Sequence, residues 1–482
     1  MGCTTVLVGK KATNDNTTMI ARTDDGYFDC KKIIVNERSD KPYKYKSKIG
    51  HLEIELNEPR LRYTSSPSID QAHGLWPATG INEKNVGMTA TETITSNPRV
   101  LSLDPLVNYD SKTKKPGGIG EEDIVALVLP YINSAREGVI RLGSLLEKYG
   151  TYEMNGIAFN DENEVWWLET IGGHHFIARR VEDDEYVIMP NQFGLDKFDF
   201  NDAYSKQEKN ICSKDLKEFV EKNNLYLGQD GNFNPRLAFG SHSDADHVYN
   251  TPRGWYMGRY FNPKTYKWDG ENADFSPLSD DIPWSLKPEK KITIEDIKYI
   301  LSSYYQGTEY NPYMKNDNGK RGIYRPIGIA RTGITSICQI RSDVPDIAKG
   351  LEWISFGANP FNTMIPLYTN VAKMPKYFSD VTLDVSTENF YWSSRLLGAL
   401  VDPHFASGIL HIERYQLKTA SKAREIVNKY DKILLEEATE ENLNKANLEI
   451  EKMIKKETTD TLNKVLLDAS IHMKCNYSRM DN

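Results

Sequence analysis

From the first few positions of the chain the pattern of residues reads as β. Cys3 to Lys10 is rich in β-branched residues, Thr13 to Asn16 (TNDN) has turn chemistry, and Thr17 to Arg22 (TTMIAR) returns as a strand, so the spacing predicts a hairpin. A second pair, Ala78 to Ile81 and Val86 to Thr93, flanks the turn Asn82-Glu83-Lys84-Asn85. From Glu121 to Tyr149 apolar residues recur at helical spacing, with a break expected near Pro130 and Asn133. Four short runs follow: GIAFN (156–160), VWWLET (165–170), HHFIARRV (174–181) and YVIMP (186–190). Polar or glycine turns separate them, which predicts a largely antiparallel meander.

Helices are expected at Ser213 to Asn224 and Thr293 to Ser303, while the aromatic, Gly/Pro-punctuated stretch 226–290 resists assignment. A further β region spans Ile334 to Ile340 and Leu351 to Phe356, followed by a helix from Thr387 to Val401. The end, from His411 onward, is charged and amphipathic: Leu443, Ala446, Ile450, Met453 and Ile454 share one helical face. Blocks of antiparallel strands alternating with blocks of helix predict an α+β fold rather than a doubly wound parallel sheet. No linker-like segment or internal repeat divides the chain.

Composition narrows the function classes. The 482 residues carry 60 Lys+Arg against 68 Asp+Glu, a net charge of −8, and no basic block stands out, so nucleic acid is not an expected partner. The longest apolar stretch, Ile124 to Ile132, contains Pro130 and is too short to cross a bilayer, so no membrane partner is expected. The start, MGCTTVLVGKK, lacks a secretory pattern, and the five scattered cysteines (Cys3, Cys30, Cys212, Cys338, Cys475) suit reduced thiols; the expected location is cytoplasmic. Homo-oligomerisation is left open.

Cys3, at a chain end and opening a strand, is odd as packing and makes sense as chemistry. With Met1 and Gly2 removed it would carry both a thiol and a free α-amine, and an amine of pKa about 7.7–8 can serve as the thiol's own base. The hairpin return ends in Ala21-Arg22-Thr23-Asp24-Asp25-Gly26. It places Arg22 where it would favour a thiolate and Asp25 where it could orient the α-amine. The plain alternative is that these charges decorate a turn.

Cys3-Thr4-Thr5, the ARTDDG segment, GINEKNVGMTATET (80–93), the WWLET/GGHHFIARRV meander and MPNQF (189–193) together resemble the C69 family of cysteine dipeptidases, which are N-terminal nucleophile hydrolases. YQGTEYNPY (305–313) and YRPIGIARTGITSICQIR (324–341) extend the resemblance, which is weakest in the C-terminal helices. It implies a four-layer αββα sandwich over residues 3–405, with 406–482 as a helical extension packed on it. It also implies dipeptide substrates and no metal or organic cofactor. Cys3 matches the nucleophile, Arg22 and Asp25 the Arg-x-x-Asp pair, and Asn191 an oxyanion-hole asparagine. Autocatalytic loss of Gly2 is expected. Where related acylases have a second oxyanion asparagine this chain has Glu92, which is expected to face a substrate α-ammonium; the position of a further acylase arginine, somewhere near Arg331, is left open.

Two rival readings carry sequence signals. His242-Ser-Asp244-Ala-Asp246-His247 is dense in metal-ligand types and would suit a metal-dependent hydrolase, though no second cluster completes a binuclear site. The aromatic middle, with Trp255, Tyr256, Tyr260 and Trp268, would suit a non-catalytic peptide- or sugar-binding module. His174 and His175, read as strand neighbours facing opposite ways, are expected to pack rather than ligate.

Overall fold

The structure is a computed structural model that describes residues 2–26, 29–229, 231–317 and 319–473. The expected hairpin forms from β1 (Thr4–Val8) and β2 (Thr18–Asp24). Two small ladders follow, β3 (Ile34–Asn36) with β6 (Tyr63–Ser65) and β4 (Tyr43–Lys46) with β5 (Glu53–Leu56). Next come β7 (Thr79–Ile81), β8 (Gly87–Thr93), β9 (Asn155–Asn160), β10 (Val165–Ile171), β11 (His175–Arg180), β12 (Tyr186–Met189) and β13 (Asn210–Cys212). The last strands are β14 (Ser285–Leu286), β15 (Ile334–Ile340), β16 (Gly350–Phe356) and β17 (Ile365–Tyr368). They build two large antiparallel sheets, ordered β14-β12-β1-β2-β15-β16-β17 and β13-β11-β10-β9-β8-β7.

Apolar side chains sort into the layers of an αββα sandwich. Leu7, Ile20, Val187 and Cys338 of the larger sheet meet Ala158, Val165, Trp167 and Ile177 of the smaller one. The smaller sheet's other face packs Met88, Phe159, Trp166 and Leu168 against helices Glu121–Val128 and Ala135–Tyr149. The larger sheet's outer face packs Val6, Ala21, Ile337 and Leu367 against helices Thr251–Phe261, Ile294–Leu301, Phe390–Val401, Phe405–Glu436 and Glu440–Ile471. Trp166 and Trp167 thus fill opposite faces of one strand, as period-two geometry requires. On the last helix Leu443, Ala446, Ile450 and Ile454 are buried and Met453 half-buried.

One sequence expectation fails in an instructive way. The fourth run of the expected meander, β12, leaves its neighbours and pairs with β1 in the other sheet, in register Thr5 with Met189 and Leu7 with Val187. The crossing is tied down by Gly9 N–H to Glu185 O at 2.9 Å and Lys11 N–H to Asp183 O at 2.6 Å. A Cβ on Gly9 would sit 2.2 Å from the Glu182 carbonyl oxygen, so only glycine lets the two backbones approach this closely. Strands buried on both faces read alike whichever sheet holds them, so the crossing leaves no mark in the hydrophobic pattern. Its consequence is positional: the segment after β12 is carried to the mouth of the sandwich beside residue 3.

The unassigned stretch 226–290 contains the helix Thr251–Phe261, in which Trp255 and Tyr256 are buried and Tyr260 is half-buried. Trp255 and Trp268 are buried and tied by indole N–H bonds to Trp268 O and Asn262 O, both 2.8 Å. With Tyr256 also buried, three of the four rings behind the binding-module reading cannot stack on a sugar or peptide, and that reading loses its observation. His174 lies in the turn before β11, so both His174 and His175 reach the Asp104 carboxylate, at 2.9 and 2.7 Å, rather than opposite faces. Among the described residues no helix is long and apolar enough to cross a membrane. Cys3, Cys30, Cys212 and Cys338 are free and buried, whereas Cys475 lies outside the described residues.

Candidate active site

Alternation along β1 decides which way its residues face. Thr5 and Leu7 point between the sheets, where Thr5 Oγ1 donates to Glu92 Oε2 of β8 at 2.8 Å. Thr4 and Val6 point to the outer helices, where Arg253 Nη1 donates to Thr4 Oγ1 at 2.7 Å. Cys3, just before β1, is completely buried, and Arg22, paired opposite Thr5 on β2, donates Nη2 to its Sγ at 3.0 Å. The same guanidinium donates to Glu121 Oε1 at 2.6 Å and to the Ala78 carbonyl at 3.1 Å, and lies 3.6 Å from Asp24. Glu121 opens a helix, where the helix dipole favours its negative charge.

The two adjacent aspartates divide their duties. Asp24 pairs with Lys31 at 2.9 Å, while Asp25 accepts from Thr23 Oγ1 at 3.0 Å, Thr332 Oγ1 at 2.6 Å and Arg325 Nη2 at 2.6 Å. Thr23 Oγ1 in turn accepts from Thr4 N–H at 3.0 Å, and Arg325 Nη2 also donates to the Gly2 carbonyl. Asp25 therefore addresses the backbone on either side of Cys3.

Asn191 reaches the cluster through an arginine that sequence reading did not single out. Arg253, fully buried, donates to the Cys3 carbonyl and to Asn191 Oδ1 and Asn250 Oδ1, both at 2.7 Å. Asn191 Nδ2 donates to the Thr93 carbonyl at 3.0 Å. Arg325 was missed likewise. A charged residue inside the otherwise aromatic run TPRGWYMGRYF was the available signal for Arg253, since a buried guanidinium needs dedicated acceptors.

The electrostatics differ from the sequence expectation. Arg22 does act to lower the Cys3 pKa, but burial acts more strongly in the opposite sense, and with Glu92, Asp24 and Glu121 also adverse the thiol is pushed up to about 12. Residue 2 lies directly beneath Tyr249. A Cβ on Gly2 would come 1.9 Å from Tyr249 Oη. Glu92 is likewise raised, to about 8, by burial, against the opposing pull of Arg253, Thr5 and Arg22, and among the described residues its Oε1 has no hydrogen-bond partner.

The HSDADH run does not form a ligand set. His242 is exposed, Asp246 Oδ2 accepts from Ser243 N–H and Oγ at 3.1 and 3.0 Å, and His247 turns to Asp280 at 3.0 Å. Among the described residues no group of three or more His, Cys, Asp or Glu side chains is placed to hold a metal ion. The run instead borders a cleft of about 600 Å³ shared with Thr93, Asn191, Tyr249 and Arg331.

The family model for peptidase family C69 matches residues 2–418 of this chain. A protein named dipeptidase from Bifidobacterium longum (strain NCC 2705) is 52% identical over 437 residues, covering 89% of this chain and 82% of that one. A probable dipeptidase A from Streptococcus pyogenes serotype M3 (strain SSI-1) is 46% identical over 486 residues, with 100% of both chains covered. Among solved structures, penicillin V acylase from Agrobacterium tumefaciens aligns over 76% of this chain and 86% of its own, with 13% identity and a TM-score of 0.35.

Proposed function

Because the chain belongs to peptidase family C69, we propose that it hydrolyses the peptide bond of dipeptides with Cys3, freed of Met1 and Gly2, as an N-terminal nucleophile. The observation that carries the reading is the buried contact of Cys3 Sγ with Arg22 Nη2 at 3.0 Å, at the start of a strand. A thiol at the start of a strand, gripped by a guanidinium and flanked by a carboxylate, has no packing explanation of comparable economy. The names of the relatives supply the substrate class.

Removal of the two leading residues comes first. The Cys3 thiol attacks the Gly2 carbonyl carbon, the Gly2–Cys3 amide bond breaks as its nitrogen gains the thiol proton, and water hydrolyses the resulting thioester. The mature residue then has a thiol and an α-amine whose ordinary pKa of about 7.7–8 suits proton transfer at neutral pH. The sulfur attacks the dipeptide carbonyl, the amine takes the thiol proton and passes it to the leaving amino acid, and water releases the acyl group. Asn191, once its amide turns from Thr93, holds the oxyanion; a donor of this kind is worth about a hundredfold or more in kcat. Asp25 aligns the new amine, and Glu92 receives the substrate's α-ammonium. The catalytic unit spans 3–405, with 406–482 as its extension.

The test combines N-terminal sequencing of the purified protein with assays on a dipeptide panel. The expected result is a protein beginning at Cys3, inactivated by iodoacetamide and by Cys3→Ala. Full turnover by Cys3→Ala, or by protein that still carries Gly2, would overturn the proposal.

A further inference from the structure

We infer that Arg331 binds the free α-carboxylate of the substrate and so restricts the enzyme to peptides whose second residue is the last. The inference rests on the dipeptidase reading above and adds to it the device that reads the chain's far end.

The arginines around the site differ in how their donors are spent. Arg253 uses all of its nitrogens on the Cys3 and Tyr249 carbonyls, Thr4, Asn191 and Asn250. Arg22 is paired with Glu121, and Arg325 with Asp25. Arg331, among the described residues, has no carboxylate partner and makes one hydrogen bond, Nη2 to Tyr249 Oη at 2.7 Å. It is half-buried and is the one arginine lining the 600 Å³ cleft, a size suited to a small ligand. The carboxylate that shares the cleft, Asp246, is occupied by Ser243 and by Asn250 Nδ2.

The loop that presents Arg331 is held on both sides. Arg325 and Thr332 grip the same Asp25 carboxylate, and Gly333 N–H donates to the Asp24 carbonyl at 2.7 Å. A guanidinium held in this way can form a planar two-bond pair with a carboxylate at little further entropic cost. Its location also fits: Tyr249 Oη, bonded to Arg331, overlies Gly2, whose carbonyl precedes the Cys3 nitrogen. A single residue beyond the attacked carbonyl therefore places its carboxylate toward Arg331, while Glu92, buried between the sheets, meets the ammonium at the other end. A dipeptide satisfies both charges. A longer peptide or an amide leaves Arg331 facing an uncharged group.

The experiment compares a dipeptide with its C-terminal amide in the mature enzyme. We expect wild type to favour the free acid strongly, and Arg331→Gln to lower kcat/KM for the acid by about 10- to 100-fold, the usual worth of a charged hydrogen-bonded pair. The amide should be hydrolysed as before, and Arg331→Lys should recover part of the loss. Equal losses on acid and amide, or no loss on the acid, would overturn the inference. If Arg331→Gln does not fold, wild type still decides: a product amino acid should inhibit and its amide should not, and equal inhibition by both refutes the role. A wild type with no dipeptidase activity would instead refute the proposed function itself.

Discussion

Replacing Glu92 with glutamine should stabilise the empty enzyme while weakening its grip on substrate. Burial raises the Glu92 carboxyl from an ordinary 4.5 to about 8, and among the described residues its Oε1 has no partner. The folded state therefore holds a proton that the unfolded chain releases above pH 4.5, so stability falls as pH rises from about 4.5 to 8 and levels off beyond. At 1.36 kcal/mol per unit, this cost is about 3 kcal/mol at pH 7 and about 5 kcal/mol above pH 8. Glutamine has no charge to bury and keeps an acceptor for Thr5 Oγ1. Thermal melts of wild type and Glu92→Gln from pH 4 to 9 should coincide near pH 4.5 and separate progressively up to pH 8, the variant melting higher. Dipeptide KM should rise about tenfold or more in the same variant, because the arriving ammonium draws the proton off Glu92 and glutamine cannot become its ionic partner. A melting difference independent of pH would refute the buried-carboxylate reasoning, and an unchanged KM would remove Glu92 from substrate binding.

Three further outcomes follow from the same geometry. Arg325→Met leaves the fully buried Asp25, among the described residues, with hydroxyl donors alone, so thermal unfolding should show a loss of about 3–5 kcal/mol, partly recovered by adding Asp25→Asn. Gly2→Ala forces Tyr249 aside, so intact-mass spectrometry should find the leading residues retained longer, with Tyr249→Ala restoring their removal in the double variant. While Gly2 remains, a Cys3 pKa of about 12 leaves about one thiol in ten thousand ionised at pH 8, so iodoacetamide should label the trimmed protein far faster than the untrimmed one. Equal labelling of the two forms would contradict the un-ionised, buried thiol.

The sequence by itself determined the central strands of the two large sheets, several of the longer helices and the candidate nucleophile. Period-two and period-3.6 patterns arise between near neighbours, so β1 with β2, β7 with β8, the helix break between Val128 and Ala135 and the face shared by Leu443, Ala446, Ile450 and Ile454 were all legible. Cys3 stood out as a candidate because Arg22 and Asp25 follow on the paired strand's end. Tertiary structure alone decided which sheet takes β12, because a strand buried on both faces carries the same residues in either; that choice brought Asn191 to Cys3. It alone decided that Arg253 and Arg325 converge on residues 2–4 from about 250 and 320 positions away, since the acceptors that justify a buried arginine are supplied by the fold and not by its neighbours in the chain. It also set the sign of the Cys3 shift: Arg22 was visible as a charge, but the extent of burial that outweighs it is a property of the packed sandwich.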